Sequence, residues 1–157
     1  MPGGWPVTAF RVYRNGALAQ TITAPTSSAT VTGLTNGQSS NFEVAAVNAI
    51  GEGGKAGPIS STPRAVPTVP QSVQVVEGNR QLTITWGAPA SDGGSTVTAY
   101  RFFVNGAQVA EVAASPRSFN PTNLVNGQTY SLQMAAVNAA GEGPKTAVFS
   151  GTPGTTP

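Results

Sequence analysis

The strongest evidence for the fold lies in residues Gly93–Pro153, which read GGSTVTAYRFFVNGAQVAEVAASPRSFNPTNLVNGQTYSLQMAAVNAAGEGPKTAVFSGTP. They repeat Gly3–Pro63 at a constant offset of 90 residues without a gap, and 28 of the 61 aligned positions are identical. Self-similarity at a fixed offset indicates copies of one structural unit. We therefore predict two related domains, residues 1–66 and residues 67–157, and only the second has a full preface, residues 68–92, before its repeat.

Both copies contain short apolar–polar alternations bounded by turn residues, the pattern of β-strands. Asn15-Gly16 and Asn105-Gly106 are typical of two-residue hairpin turns, and no helical stripe occurs. In the first copy we predict the strands Val7–Arg14, Ala17–Thr23, Ala29–Leu34, Asn41–Asn48 and Ala56–Thr62, with a hairpin loop at Gly51–Gly54. In the second copy we predict the strands Ser72–Val76, Gln81–Trp86, Val97–Val104, Ala107–Ala113, Arg117–Leu124, Thr129–Asn138 and Lys145–Thr152. The predicted fold class is all-β, with two antiparallel β-sandwiches in tandem.

The composition argues against several classes of function. Charged residues make up only 9% of the chain and its eight basic residues are scattered, whereas nucleic-acid binding needs clustered Lys and Arg. No apolar run approaches the length of a membrane span. The sequence contains no Cys and no His. Its six acidic residues are not predicted to face one another across a cleft, as a pair of catalytic carboxylates would. We therefore predict neither catalysis nor a metal or cofactor site.

Residues 68–153 resemble a fibronectin type III domain over their whole length. Leu82-Thr83-Ile84-Thr85-Trp86 resembles the second strand of that family with its core tryptophan. Leu124 followed by Tyr130 resembles its tyrosine corner, in which the hydroxyl bonds back to the main chain. Ala136-Val137-Asn138 followed by Gly141-Glu142-Gly143 resembles the sixth strand and the loop after it. The resemblance implies a seven-stranded Greek-key sandwich.

The first copy matches the same family only from the third strand onward. Nothing corresponds to Trp86, and Ser40 stands where the second copy has Tyr130. The resemblance therefore implies that the first two strands are absent. Apolar residues of the remaining sheet would lack their cover, and each large side chain left in water forgoes about 1.5–3 kcal/mol.

We predict that another protein, or another copy of this chain, supplies that cover. The predicted interface comprises Trp5, Phe10, Val12, Phe42 and Val44. An alternative is a rearranged N-terminus in which Trp5 fills the gap.

Exposed loops offer a second set of candidate contacts. Glu52 and Lys55 in the first copy, and Glu142 and Lys145 in the second, are predicted at loop tips, where a partner such as a cell-surface glycan would meet them.

These observations predict a non-catalytic structural or display module that is extracellular or on a virion surface. The most concrete case is a decoration or tail protein of a bacteriophage, docked through its incomplete first domain. The alternatives are an accessory spacer of a secreted bacterial polysaccharide-degrading enzyme and an adhesin fragment. No signal peptide is recognised at the start of the sequence.

Overall fold

The computed structural model describes residues 4–156, and the chain divides into two units, one ending at Pro63 and the other beginning at Arg64. The first unit contains the strands β1 (Ala9–Arg14), β2 (Ala17–Thr23), β3 (Ser40–Val47) and β4 (Glu52–Ser61). The second unit contains the strands β5 (Gln71–Gly78), β6 (Gln81–Gly87), β7 (Ala99–Val104), β8 (Ala107–Ala113), β9 (Ser118–Phe119), β10 (Tyr130–Asn138), β11 (Gly141–Glu142) and β12 (Phe149–Gly151). No helix within residues 4–156 has the length and apolar character that crossing a membrane would require.

The first unit consists of one antiparallel sheet with the strand order β2-β1-β3-β4. Asn15 and Gly16 close the β1–β2 hairpin with φ angles of 49° and 86°, the left-handed conformation that this type of turn requires. Because side chains alternate between the faces of a strand, Phe10 and Val12 point to the same side. Val12 pairs with Val44 on β3, so the apolar side chains of the two central strands share that side.

The second unit is a sandwich of two sheets. One has the order β11-β10-β7-β8, with β12 also paired to β10, and the other has the order β5-β6-β9. Leu82, Ile84 and Trp86 on β6 alternate along one face and pack against the larger sheet. The Trp86 ring meets Tyr100 and Phe102 edge-to-face at centroid distances of 5.1 and 5.2 Å. Aromatic pairs of this kind contribute about 0.5–1.5 kcal/mol each beyond their buried area.

The hydroxyl of Tyr130 accepts a hydrogen bond from the backbone N–H of Val125 at 3.0 Å. This is the contact that the tyrosine-corner resemblance implies. At the equivalent place in the first unit, Ser40 is buried and its hydroxyl accepts a hydrogen bond from Nε of Arg14 at 3.0 Å.

The shared sheet has the same register in both units. Ala9 pairs with Val47 in the first unit, and Ala99 pairs with Val137 in the second, at the offset of the sequence repeat. The hairpins β1–β2 and β7–β8 also carry an irregularity at equivalent positions, between Val12 and Tyr13 and between Phe102 and Phe103. The repeat therefore describes the same strand pairing twice.

Four predicted elements were wrong, and one of them is the predicted strand Arg117–Leu124, which is reduced to β9. Residues 29–34 form no strand, and their counterpart in the second unit is only the two-residue strand β9, which pairs with β6. Since no β6 equivalent exists among the described residues of the first unit, residues 29–34 have no strand to pair with. The predicted strand Lys145–Thr152 is reduced to β12. The predicted loop Gly51–Gly54 is mostly strand, because Glu52 already pairs with Val47.

Substitution of Gly143 tests how closely the chain packs at this end of the second unit's sandwich. A Cβ added there would lie 2.1 Å from the backbone oxygen of Pro67, whereas a Cβ at the equivalent Gly53 would meet only the Ala46 oxygen, at 3.6 Å. We expect Gly143→Ala to lower the free energy of unfolding of the second unit by about 1–3 kcal/mol, the usual cost of overpacking. Gly53→Ala is the matched control and should change the first unit by less than about 1 kcal/mol. Urea titrations followed by NMR resonances of each unit measure both values, and equal effects would contradict the packing described here.

Candidate functional site

The apolar side of the first unit's sheet is only partly covered in the structure, because Val12 is 7% exposed and Phe10 and Phe42 are half-buried, whereas Val44 is 40% exposed. We call this side, formed by Phe10, Val12, Phe42 and Val44, the open face. It forms the floor of a groove of about 510 Å³. The groove is completed by seven further residues, Ile22, Ser27, Ser28, Ala29, Val31, Leu34 and Ser61. None of its lining residues is charged.

The second unit shows what the open face lacks. Val44 is 40% exposed, while its counterpart Met134 is 0% exposed. Phe42 is half-buried, whereas its counterpart Leu132 is buried. Met134 and Leu132 belong to one buried cluster with Leu82, Ile84 and Trp86. Among residues 4–156 no counterpart of the β5–β6 hairpin lies over the first sheet, and this accounts for the difference in burial.

The structure brings four of the five predicted interface residues together and separates the fifth. Phe10, Val12, Phe42 and Val44 all line the groove, but Trp5 does not. Trp5 is 58% exposed. The alternative in which Trp5 fills the gap over the sheet was therefore wrong, because its ring lies at the end of the sheet and leaves the open face uncovered.

The place where Trp5 lies is a second cavity, which we call the end pocket. It has a volume of about 420 Å³, and Val7 and the 77% exposed Ile50 contribute apolar surface to it. Its lining residues are Trp5, Val7, Ala46, Val47, Asn48, Ile50, Gly51, Glu52 and Gly53. Sequence reasoning did not predict this pocket. The available signal was the agreement of Asn48, Gly51 and Gly53 with the same residues in the second copy.

Glu52 and Lys55 lie on the opposite side of the first sheet from the open face. They were predicted at a loop tip, and that prediction was wrong, because both belong to β4. Arg11 Nη1 lies 3.1 Å from Oε1 of Glu52, and the Tyr13 hydroxyl donates a hydrogen bond to the same oxygen. Lys55 Nζ lies 4.1 Å from the centroid of the Tyr13 ring. Its neighbours therefore hold the Glu52 carboxylate in place.

These contacts shift the ionisation of the cluster. The hydrogen bond from Tyr13 is the main cause that lowers the pKa of Glu52, followed by the hydrogen bond from Arg11. The same bond to Glu52 raises the pKa of Tyr13, because the proton that it donates is held by a carboxylate. The arrangement keeps Glu52 ionised and Tyr13 protonated near neutral pH, which suits a contact surface and supplies no poised proton donor.

The second unit repeats this outer cluster with changes. Arg101 bridges two carboxylates, Glu111 at 2.7 Å and Glu142 at 3.1 Å. Lys145 Nζ lies 4.1 Å from the ring centroid of Phe103, which is 6% exposed. Glu142 belongs to the short strand β11, so its predicted loop position was also wrong. Within residues 4–156 no group of three or more potential ligands is placed to hold a metal ion.

The comparisons with known proteins agree with this architecture. A family model described as "Fibronectin type III domain" matches residues 68–152. A Kelch domain-containing protein of Saccharolobus solfataricus is 36% identical over 114 residues, which are 71% of this chain and 16% of that protein. The chain thus spans about a sixth of the length of this relative.

Two solved structures show the same fold at low sequence identity. A structure of titin domains is 20% identical with a TM-score of 0.60 and covers 92% of this chain and 54% of its own. The fibronectin(III)-like modules of Clostridium thermocellum CbhA are 17% identical with a TM-score of 0.52 and cover 96% of this chain and 78% of their own. At these identities the likeness concerns the fold alone.

The Tyr13–Glu52 hydrogen bond can be tested by titration. Removing the hydroxyl with Tyr13→Phe should raise the pKa of the Glu52 carboxyl toward its ordinary value. Lys55→Gln is the matched control, because the charge of Lys55 contributes least to the lowered pKa of Glu52, and its removal should raise that pKa less. Carbon-detected NMR titration of Glu52 measures both. A lowered folded-state pKa contributes stability above the unfolded pKa, and that contribution is lost as the pH falls. An unchanged Glu52 pKa in Tyr13→Phe would contradict the assigned cause.

Hydrogen exchange tests whether the open face lacks cover in solution. We expect backbone amides of β1 and β3 to exchange faster than those of β7 and β10 in the isolated chain, because local opening is easier where few apolar contacts are buried. Exchange followed by mass spectrometry on a chain shown to be monomeric by sedimentation makes the comparison. Equal protection of both pairs in the monomer would show that the first sheet needs no cover.

Proposed function

The chain belongs to the fibronectin type III family, and from that premise we propose that it is a non-catalytic interaction module that docks on another protein through its open face. The observation that carries the proposal is the 40% exposure of Val44 within a groove without charged lining residues. Contiguous apolar surface of this kind marks interaction sites in soluble proteins. Docking would bury the apolar side chains that the second unit buries against its own hairpin.

We further propose that the first unit is an incomplete copy of the same domain. Two findings support this proposal: the 28 identical residues among 61 aligned positions and the equal strand registers of the two units. The missing part corresponds to the residues that form β5 and β6 in the second unit. An incomplete sandwich gains stability when a partner completes it, so the partner would stay bound rather than exchange rapidly.

For the location of this docking we propose the surface of an extracellular particle, with a bacteriophage decoration or tail protein as the concrete case. Support comes from the open face, which suits a permanent protein partner such as a shell or a tail. The charged cluster around Glu52 would then lie on the side of the first sheet opposite the docked open face, where a glycan could reach it. The similar cluster around Glu142 in the second unit would be a further contact for a glycan.

A second candidate is an accessory module of a larger multidomain protein. The specific observation in its favour is the match to a Kelch domain-containing protein, of which this chain covers only 16%. In that setting the open face would dock on a neighbouring domain of the same polypeptide. Adhesin fragments and spacers of polysaccharide-degrading enzymes are further members of this class.

Docking through the open face is tested with Val44→Lys. A lysine there would place a charge against an apolar partner, so the variant should leave the large assembly with which the wild-type chain co-migrates in size-exclusion chromatography of a native extract. Val76→Lys is the matched control, because Val76 is a 65% exposed valine on β5 of the second unit, and it should still co-migrate. Circular dichroism of both purified variants verifies folding. Co-migration of Val44→Lys equal to that of the wild type would contradict the proposal.

A further inference from the structure

In the second unit the extended segment Ala65–Pro67 is held closely at one end of the sheet. We call the residues that hold it, Gly93, Asn138 and Gly143, the seat. The backbone N–H of Ala65 donates to the Gly93 oxygen at 2.8 Å, and Asn138 Nδ2 donates to the Ala65 oxygen at 2.8 Å. A Cβ at Gly93 would lie 2.1 Å from the oxygen of Ala65, and one at Gly143 would lie 2.1 Å from the oxygen of Pro67. Pro67 is fully buried. Glycine is therefore required where this segment crosses the sheet end.

The described residues of the first unit retain part of this seat, whereas the counterpart of Gly93 is Gly3, which lies outside the described residues. Asn48 Oδ1 accepts hydrogen bonds from the N–H groups of Ile50 and Gly51 at 2.9 and 3.2 Å. Asn138 Oδ1 accepts the equivalent bonds at 2.8 and 3.2 Å. Yet a Cβ at Gly53 would meet only the Ala46 oxygen at an ordinary contact distance. Among residues 4–156, the end pocket is thus this seat without the segment that fills it in the second unit.

In the second unit, one continuous segment occupies the two regions that correspond to the end pocket and the open face of the first unit. In the second unit the chain leaves the seat at Pro67 and enters β5 at Gln71, and β5 leads directly into β6. Residues 64–87 therefore fill the seat and cover the sheet in a single pass. One segment of this type would therefore fill the end pocket and cover the open face of the first unit together.

Building on the docking function proposed above, we propose that the first unit binds a segment of a partner protein with the chemistry of residues 64–87. An extended stretch ending in Val-Pro occupies the end pocket. It continues into a β-hairpin whose inner face carries large apolar side chains and covers the open face. The second strand of the hairpin pairs with residues 28–29, as β6 pairs with β9 through Ile84–Phe119 and Thr85–Ser118.

Charge complementarity supports this occupant. The groove has no charged lining residue, and the inner face of the model hairpin, Leu82, Ile84 and Trp86, has none either. At the hairpin turn Glu77 accepts a hydrogen bond from the backbone N–H of Thr152. In the first unit Thr62 corresponds to Thr152, so a docked hairpin of this type would place an acidic turn residue at this strand end.

A second copy of this chain is a poorer donor. Leu82 and Ile84 are 0% exposed in their own unit and Trp86 is 6% exposed. Donating residues 64–87 to another copy would uncover the core of the donor's second unit in order to cover the first unit of the acceptor. The exchange would bury about as much apolar surface as it exposes, which disfavours a second copy as the donor.

The test uses the full-length chain and a fluorescein-labelled synthetic peptide of residues 64–87. The second unit already holds its own copy of this segment, so binding reports on the first unit. We expect saturable one-to-one binding by fluorescence anisotropy. Hydrogen exchange should show new protection in β1, β3 and residues 27–34, with no change in β7 and β10.

Variants of both components locate the contact. Gly53→Ala should weaken peptide binding at least tenfold, because its Cβ would meet the backbone oxygen of the docked Val-Pro stretch. Gly54→Ala is the matched control, since a Cβ there has open space around it, and its affinity should be unchanged. A peptide with Leu82→Ser, Ile84→Ser and Trp86→Ser should not bind measurably.

The possible outcomes separate the explanations. Absence of peptide binding to the wild-type chain overturns the proposed occupant but leaves docking through the open face to the Val44→Lys experiment. Binding that Gly53→Ala does not weaken shows that the end pocket takes no part, and it also overturns the proposal. Protection in β7 and β10 would mean displacement within the second unit. A dimer of the untreated chain, in which residues 64–87 of one copy protect the first unit of the other, would replace the partner by a second copy.

Discussion

The structure of the second unit depends on one constraint. The apolar side of the sheet that contains β7 and β10 must be covered by the β5–β6 hairpin, which precedes that sheet in the chain. In the second unit Leu82, Ile84 and Trp86 provide this cover, and Phe102 and Met134 are 0% exposed. The two sheets are not joined by a continuous hydrogen-bond ladder. The cover is therefore held by apolar burial, which has no direction, and by a small number of polar contacts at the sheet end.

Those polar contacts determine where the hairpin enters. Asn138 is 4% exposed, and its Nδ2 donates to the backbone oxygens of Ala65 and Asp92. A buried amide with satisfied donors and acceptors fixes position more sharply than apolar contact does. The glycines at 93 and 143 allow the backbone to pass close enough for these bonds. In the second unit the seat therefore fixes the position of the hairpin, and the apolar face supplies the stability.

The sequence predicts the central strands well, because their information is local. The alternation around Phe10 and the Asn15-Gly16 turn are sufficient to place β1 and β2 within two residues. The strand expected at residues 29–34 does not form, because the strand that would pair with it has no counterpart among the described residues of the first unit. Glu52 was expected in a loop because glycines flank it, whereas the Asn48 side chain closes a shorter turn there and lets β4 begin at Glu52. The end pocket could not be predicted from either copy alone. Gly143 reads as a turn residue until Pro67, 76 positions earlier in the chain, is seen to cross it.

The described residues of the first unit also differ from the second unit at the other end of the sheet. Arg14 stands where the second unit has Val104, and Ser40 stands where it has Tyr130, at the end of the sheet far from the end pocket. In the second unit this end is closed by the Tyr130 hydroxyl and by the hairpin turn, where the Leu124 N–H donates to the Arg80 oxygen. The Arg14–Ser40 bond makes the corresponding end polar while the open face stays apolar. For the docking proposed above, this means that an occupant should be apolar along the sheet and polar at its turn, because an apolar turn would bury Arg14 without a charged partner. A folded hairpin meets this requirement better than a flat apolar surface does.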